Sequence, residues 1–129
     1  MIHAPAATLG VVLLDGSHAR AHFAFSMAAG AAAMDRGVIL FASGAGVRAL
    51  CRDWSGLADA GHDAVLTGRG VAGLEALREA ALALDVRLLA CEAGLRGEAI
   101  DPGLLLDAAQ VSGIASFLEA VAGGQIVAF

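Results

Sequence analysis

Lysine is absent from the 129 residues, and all eight basic residues are arginine. With the heavy alanine and glycine content, this reads as genome composition rather than as function. Thirteen acidic residues leave a net charge of −5, with a pI near 5.1. Nucleic acid wants a basic face, so this balance argues against it as a partner. Cysteine is scarce: only Cys51 and Cys91 occur, with no CxxC. Two such residues make no disulfide framework, and reduced thiols are the default. A membrane span needs about 20 consecutive apolar residues, and no such run is present. Residues 21–34 lack Asp, Glu and Arg but contain His22, Ser26 and Gly30, while residues 9–14 and 38–42 are only strand length. No basic segment leading into an apolar one opens the chain. Secretion and membrane association are therefore not expected, and the cytoplasm is.

What is present in quantity is apolar surface. Hydrophobic residues make up 58% of the chain, and the mean hydropathy is +0.74. A parallel sheet buried on both faces accounts for that excess. A subunit interface would account for more, because large exposed apolar patches are rare on monomers. One domain over residues 1–129 is expected for a chain of this length. A chain this size buries about two thirds of its unfolded surface, so it needs neither metal nor disulfide to fold.

The order of elements follows from periodicity and turn residues. Residues 1–7 read as a loose start. Residues 8–14 are a β-branched apolar run and form the first strand. Asp15-Gly16-Ser17 turns the chain, with Ser17 as an N-cap, and a mostly buried helix spans residues 18–35. Gly37 suits the left-handed position after it. Residues 38–43 are the second strand, followed by the Gly44-Ala-Gly46 turn and a short helix to about Arg52. Residues 53–70 carry four glycines and no sustained period. They read as a long flexible loop with at most one helical turn. Residues 71–84 form a helix with Leu74, Leu77, Ala81 and Leu84 on its apolar face and Glu75, Arg78 and Glu79 elsewhere. Residues 86–90 are the third strand, ending at Cys91. A connector follows, then a short strand at 109–111, a helix at 113–122 capped by Ser112, and a last strand at 125–129. Alternating strands and helices imply a parallel sheet covered on both sides.

Four segments resemble the DsrE/DsrF-like family of sulfur-relay proteins. They are VILFASGAGVRAL (38–50), GLEALREAALALDVRLLAC (73–91), IDPGLLLDAAQV (100–111) and SGIASFLEAVAGGQIVAF (112–129). The first strand and helix match in kind only, and residues 53–70 are unmatched. The resemblance implies a three-layer α/β/α sandwich around a five-stranded, mostly parallel sheet, and a homo-oligomer, trimer first. It also implies a cysteine persulfide at the position that Cys91 matches, with no cofactor and with a sulfur donor or acceptor protein as partner.

Cys91 follows the carboxyl end of a strand, where ligands gather in open α/β sheets. A thiolate is the nucleophile, and helix N-termini at the same rim favour it. Glu92, the next residue, opposes it, because a neighbouring carboxylate raises a thiol pKa. The alternative is a packed structural cysteine. The amides of Gly44, Ala45 and Gly46 open a helix and could hold an anion near Cys91, although the motif is neither a P-loop nor a dinucleotide fingerprint. His18 and His22 share a helix face, and His18 is the candidate to meet a thiolate or anionic ligand at that rim. Two histidines without a partner cluster make no metal site. Cys51 reads as a packed helix cysteine, with a resolving thiol as the alternative. Arg48, Arg52, Arg69 and Arg96 could ring the pocket, and Trp54 and His62 could form a lid or an oligomer contact. The function expected is a thiol-based sulfur carrier or sulfurtransferase. The alternative is a non-catalytic oligomeric binding module of the same fold. A peroxide-reducing thiol enzyme is not expected, because the Pro-x-x-x-Thr-x-x-Cys context is missing.

Overall fold

A computed structural model describes residues 7–129; the expectation for residues 1–6 lies outside that range. Five strands form one sheet: β1 (Leu9–Leu13), β2 (Val38–Ala42), β3 (Arg87–Cys91), β4 (Ala109–Ser112) and β5 (Gln125–Ala128). Their order is β4-β3-β2-β1-β5, and every pairing is parallel. Parallel neighbours require crossovers. These carry α1 (His18–Ala33), α2 (His62–Gly68), α3 (Leu74–Ala83), α4 (Glu92–Gly97) and α5 (Ile114–Ala120). The result is a three-layer α/β/α sandwich.

Strand alternation sorts the core into two unequal halves. Leu9, Val11, Leu13, Val38, Leu40, Ala42, Leu88 and Ala90 point towards α1 and α3 and join the larger cluster. Ile39, Phe41, Leu89 and Cys91 point the other way and meet Phe117 and Val121. Each fully buried Val or Leu in these rows stabilises by roughly 1.5–3 kcal/mol. The larger cluster is sealed by the long helix α1. Its small residues Ala21, Ala24, Ala28 and Ala32 let it lie close on the sheet, with Phe25 filling the space between. The second face has only the seven-residue α5 above it, and Leu14, Ile114, Leu118 and Ile126 stay exposed on or near that side.

Helix ends differ in detail from the sequence expectation. Ser17 does cap α1, its side chain accepting from the Arg20 amide at 3.3 Å. The left-handed residue beyond α1 is Asp35 (φ 63°), however, and not Gly37. The helix stops at Ala33, so the reversal comes two residues early. α1 also leaves Phe23 exposed and Gly30 at the surface, so it is buried along one face rather than throughout. Residues 53–70, expected as a loop with at most one turn, contain the seven-residue α2. They are also pinned: Ala58 forms a parallel bridge with Ser17, its amide bonding Gly16 O at 2.9 Å and its carbonyl the His18 amide at 2.8 Å.

Candidate functional site

Cys91 ends an interior strand and is the N-cap of α4 (φ −65°, ψ 123°). Ser112 on β4 is its register partner. Sharing a face with Leu89 turns its side chain inward, among Ile39, Phe41, Phe117 and Val121. Only 7% of the residue is exposed. The thiol is thus at the carboxyl rim and buried on the α5 side of the sheet. On the same face Phe117 stacks on Phe41 with ring centroids 4.9 Å apart and lies over Gly10 of β1. The neighbouring carboxylate is drawn off: Glu92 accepts from Arg96 Nη2 at 2.8 Å and is well exposed. The charge that argued against a reactive Cys91 is therefore paired elsewhere.

The Gly44-Ala45-Gly46 segment begins a 3-10 helix, Gly44–Leu50. Its glycines answer a packing demand. A Cβ on Gly46 would stand 2.3 Å from Leu13 O, and one on Gly94 would stand 2.7 Å from the Gly44 nitrogen. The turn is therefore pressed between β1 and α4. The Gly46 amide donates to Leu14 O and Ser43 O, so it is committed within the chain and is not free to hold an anion. Gly44 has a φ of 52°, the left-handed region that glycine adopts without cost.

His18 is brought to a different place. It opens α1 on the larger-core side and is 1% exposed. Its Nε2 lies 2.7 Å from Asp63 Oδ1, and that same oxygen accepts from the Leu74 amide at 2.8 Å. Burial pushes the Asp63 carboxyl up, but the bonds from His18 and Leu74 outweigh it and hold it below the usual carboxylate range. The His18 ring is enclosed by His22, Trp54 and His62, with centroids 5.6, 5.9 and 6.2 Å away. His18 and Cys91 thus belong to opposite faces of the sheet and form no joint site. His22 completes the strap, its Nε2 2.8 Å from Ala72 O.

Cys51 also faces the larger core, so a sheet layer separates the two thiols, and both are free. A resolving role is not compatible with that separation, since a disulfide needs Cα atoms within about 7 Å. Burial pushes the Cys51 thiol up, with Arg48 and Arg78 opposing. Cys51 lines a crevice of about 320 Å³ with Arg48, Arg52 and Asp53. Arg48 there pairs with Glu98 at 3.1 Å, and Arg52 donates to Leu105 O and Gly103 O. Arg96 is held by Glu92 and Arg69 is exposed on the strapped segment. The four arginines do not form a ring.

Sequence reasoning missed Asp63 and Arg78. The helical pattern sets Arg78 beside Glu75 and Glu79, away from the apolar face. It is instead 2% exposed and clamps the end of the 3-10 helix. Its Nη1 donates to Ala49 O (3.1 Å) and Cys51 O (2.6 Å), and its Nη2 to Arg52 O (3.3 Å). The signal was spacing: Leu74, Arg78 and Ala81 share one helix face. Nothing local to Asp63 marks it, since its partner is 45 residues away.

Among solved structures, the chain is similar to the YchN protein from E. coli. The TM-score is 0.73 at 12% identity, covering 95% of this chain and 99% of that one. It is also similar to MTH1491, a protein of unknown function from Methanobacterium thermoautotrophicum. There the TM-score is 0.63 at 21% identity, with the same coverage. At these identities the likeness shows the fold. No sequence family and no curated protein matches the chain. No described helix is long and apolar enough to cross a membrane.

Proposed function

We propose that the chain is a cytoplasmic thiol-based sulfur carrier of the DsrE/DsrF-like type, with Cys91 as the acceptor. The observation that carries the reading is the position of Cys91 as the last residue of an interior parallel strand and the N-cap of the helix that follows. Glu92, the adjacent carboxylate, faces solvent and pairs with Arg96 rather than with Cys91. In the step itself, the Cys91 thiolate attacks a sulfane sulfur of a donor. A new S–S bond forms on Cys91, the donor's S–S bond breaks, and the donor leaves as its thiolate or as sulfite. An acceptor thiolate then attacks the outer sulfur and releases Cys91 as thiolate. No cofactor takes part. The thiol is buried, so the groups around it must move before a donor reaches the sulfur, and docking of a partner protein would provide that.

A second reading is favoured by the burial of Cys91 among hydrocarbon: an oligomeric binding module of this fold without thiol chemistry. In both readings the thinly covered sheet face, with Leu14, Ile114, Leu118 and Ile126 exposed, is covered by further copies of the chain, a trimer first. One experiment separates them. The folded protein is treated with thiosulfate or polysulfide and analysed by intact mass and peptide mapping. The carrier gains one sulfur atom on Cys91 and passes it to an added thiol, and Cys91→Ser abolishes both. Unchanged transfer in Cys91→Ser, or no loading at all, leaves the binding module.

A further inference from the structure

An apolar crevice of about 590 Å³ runs along α1, on the other side of the sheet from Cys91. Leu9, Met27, Ala31, Met34 and Val127 wall it, so it lies between α1 and β5, the edge strand beside β1. Sites for small molecules have volumes of about 300–1,000 Å³, and this one falls among them. Phe23 stands at one end, edge-on to Phe129 with ring centroids 5.4 Å apart. Arg36 and Gln125 stand at the other. Between the ends, from Phe23 to Met34, the helix rises about 16 Å. Both of those side chains are left exposed on the rim.

Two features of the crevice point to an occupant. The first is an unmatched charge at its head. Arg36 is the one cation in the lining, and no carboxylate lines it. Its Nε donates to Ala7 O at 3.0 Å and its Nη2 to Gln125 Oε1 at 2.7 Å. Both acceptors are neutral, and neither uses Nη1. No ion pair among the described residues involves Arg36, and residues 1–6 contain no Asp or Glu. A half-buried guanidinium is thus tethered in one orientation beside hydrocarbon. The second feature is Gly30, in the interior of α1 and part of the lining. A Cβ on it would meet nothing within 4 Å, so no packing neighbour asks for glycine there. Glycine in a helix interior costs about 1 kcal/mol relative to alanine. What its missing side chain provides is an open floor between Met27, Ala31 and Met34, where a ligand can lie against the helix backbone.

We infer that this crevice binds an unbranched alkyl carboxylate of medium length, its chain laid along α1 over Gly30 and its carboxylate on Arg36. The guanidinium presents N–H donors in a planar fork that matches a carboxylate. Met27 and Met34 are unbranched and adaptable, and they suit a flexible chain. The hydrocarbon walls disfavour a small hydrophilic anion, and Arg36 disfavours an alkyl cation. The site shares no residue with the Cys91 cluster, so it stands whether or not that thiol carries sulfur.

The test is calorimetric titration of the full chain with sodium decanoate at neutral pH, below the micelle concentration. The expected result is one saturable site per chain. Acetate, which has the head without the chain, and decyltrimethylammonium, which has the chain with the opposite charge, bind about tenfold more weakly or not at all. Arg36→Gln weakens decanoate about threefold, the effect of removing a partly solvated charge partner. Gly30→Leu fills the floor and weakens it about tenfold, the equivalent of two methylenes denied burial. Leucine is the better helix former and meets no neighbour there, so the variant keeps its fold, as its melting checks. Cys91→Ser binds decanoate as the wild type does. Non-saturable uptake, comparable affinity for decyltrimethylammonium, or unchanged affinity in Gly30→Leu or Arg36→Gln overturns the assignment. So does absent decanoate binding together with altered sedimentation of Gly30→Leu, which gives this face to a second copy of the chain.

Discussion

Gly10 lies directly under the ring of Phe117: a Cβ at this position would stand 2.8 Å from Phe117 Cζ and 2.9 Å from Val121 Cγ2. The contact decides how α5 sits on its face of the sheet. Gly10 is a strand residue with a packing reason, since β1 must present no side chain where the aromatic ring descends. Gly10→Ala is therefore expected to lift α5 and to destabilise by about 1–3 kcal/mol, the range for overpacking a tight site. Denaturant midpoints with an unchanged slope would check it. A neutral substitution would mean that the ring has room to move.

Phe117 and Phe41 belong to the same buried cluster as Cys91. Phe117→Ala removes the ring that stacks on Phe41 and loosens that cluster. It should cost about 3–5 kcal/mol and should speed alkylation of Cys91 by a neutral reagent in the still-folded population. Cys51, on the opposite side of the sheet, should react at an unchanged rate. Peptide mapping after timed labelling distinguishes the two thiols. Equal acceleration at both would indicate general loosening rather than loosening of this cluster alone.

The strands could be read from the sequence because short apolar runs bounded by turn residues are local patterns. The resemblance carried their assembly into one parallel sheet. Which side chains face which half of the core was not read, because it depends on how the helices cover the sheet. The burial of Cys91 was not readable, because it depends on which residues of other strands and of α5 share its face of the sheet. The joint site of His18, Cys91 and the Gly44–Gly46 turn failed for a related reason. All are near strand ends, but strand parity sends Cys91 to one face while α1 places His18 on the other. His18 then found a partner 45 residues away in a segment without period. Asp63 became visible only when the chain was folded.

Arg78 makes a prediction about the join between β2 and the rest of the molecule. Its guanidinium donates to three backbone carbonyls at the end of the 3-10 helix, those of Ala49 and Cys51 in buried bonds and that of Arg52 in a part-buried one. Arg78→Met keeps the volume and removes the donors. Stranding buried carbonyls costs about 1–3 kcal/mol each, and partial rehydration lowers the sum, so a loss of about 3 kcal/mol is expected in thermal or denaturant melts. Arg78→Lys should recover only part, because an ammonium lacks the planar fork that spans the three acceptors.

The strap across α1 predicts a specific acid sensitivity. The Asp63 carboxyl, with burial raising it and the His18 and Leu74 bonds lowering it further, titrates below its ordinary value in the folded protein. A carboxyl depressed by folding contributes stability that is fully present above its unfolded pKa, about 3.9. That contribution fades as the pH falls through the lower folded value. Wild-type protein should therefore lose stability between about pH 4 and the folded pKa beyond what its other carboxylates explain, and Asp63→Asn should show a shallower decline over the same window. At neutral pH the variant should already be less stable, because a neutral amide cannot hold His18 and the Leu74 amide as a charged acceptor does. Hydrogen exchange localises the effect. The amides of Leu74 and His18, the second bonded to Ala58 O, should exchange faster in Asp63→Asn, while those of β2 and β3 stay protected. Uniform acceleration across the sheet would show that the strap is not a separate unit but part of the global fold.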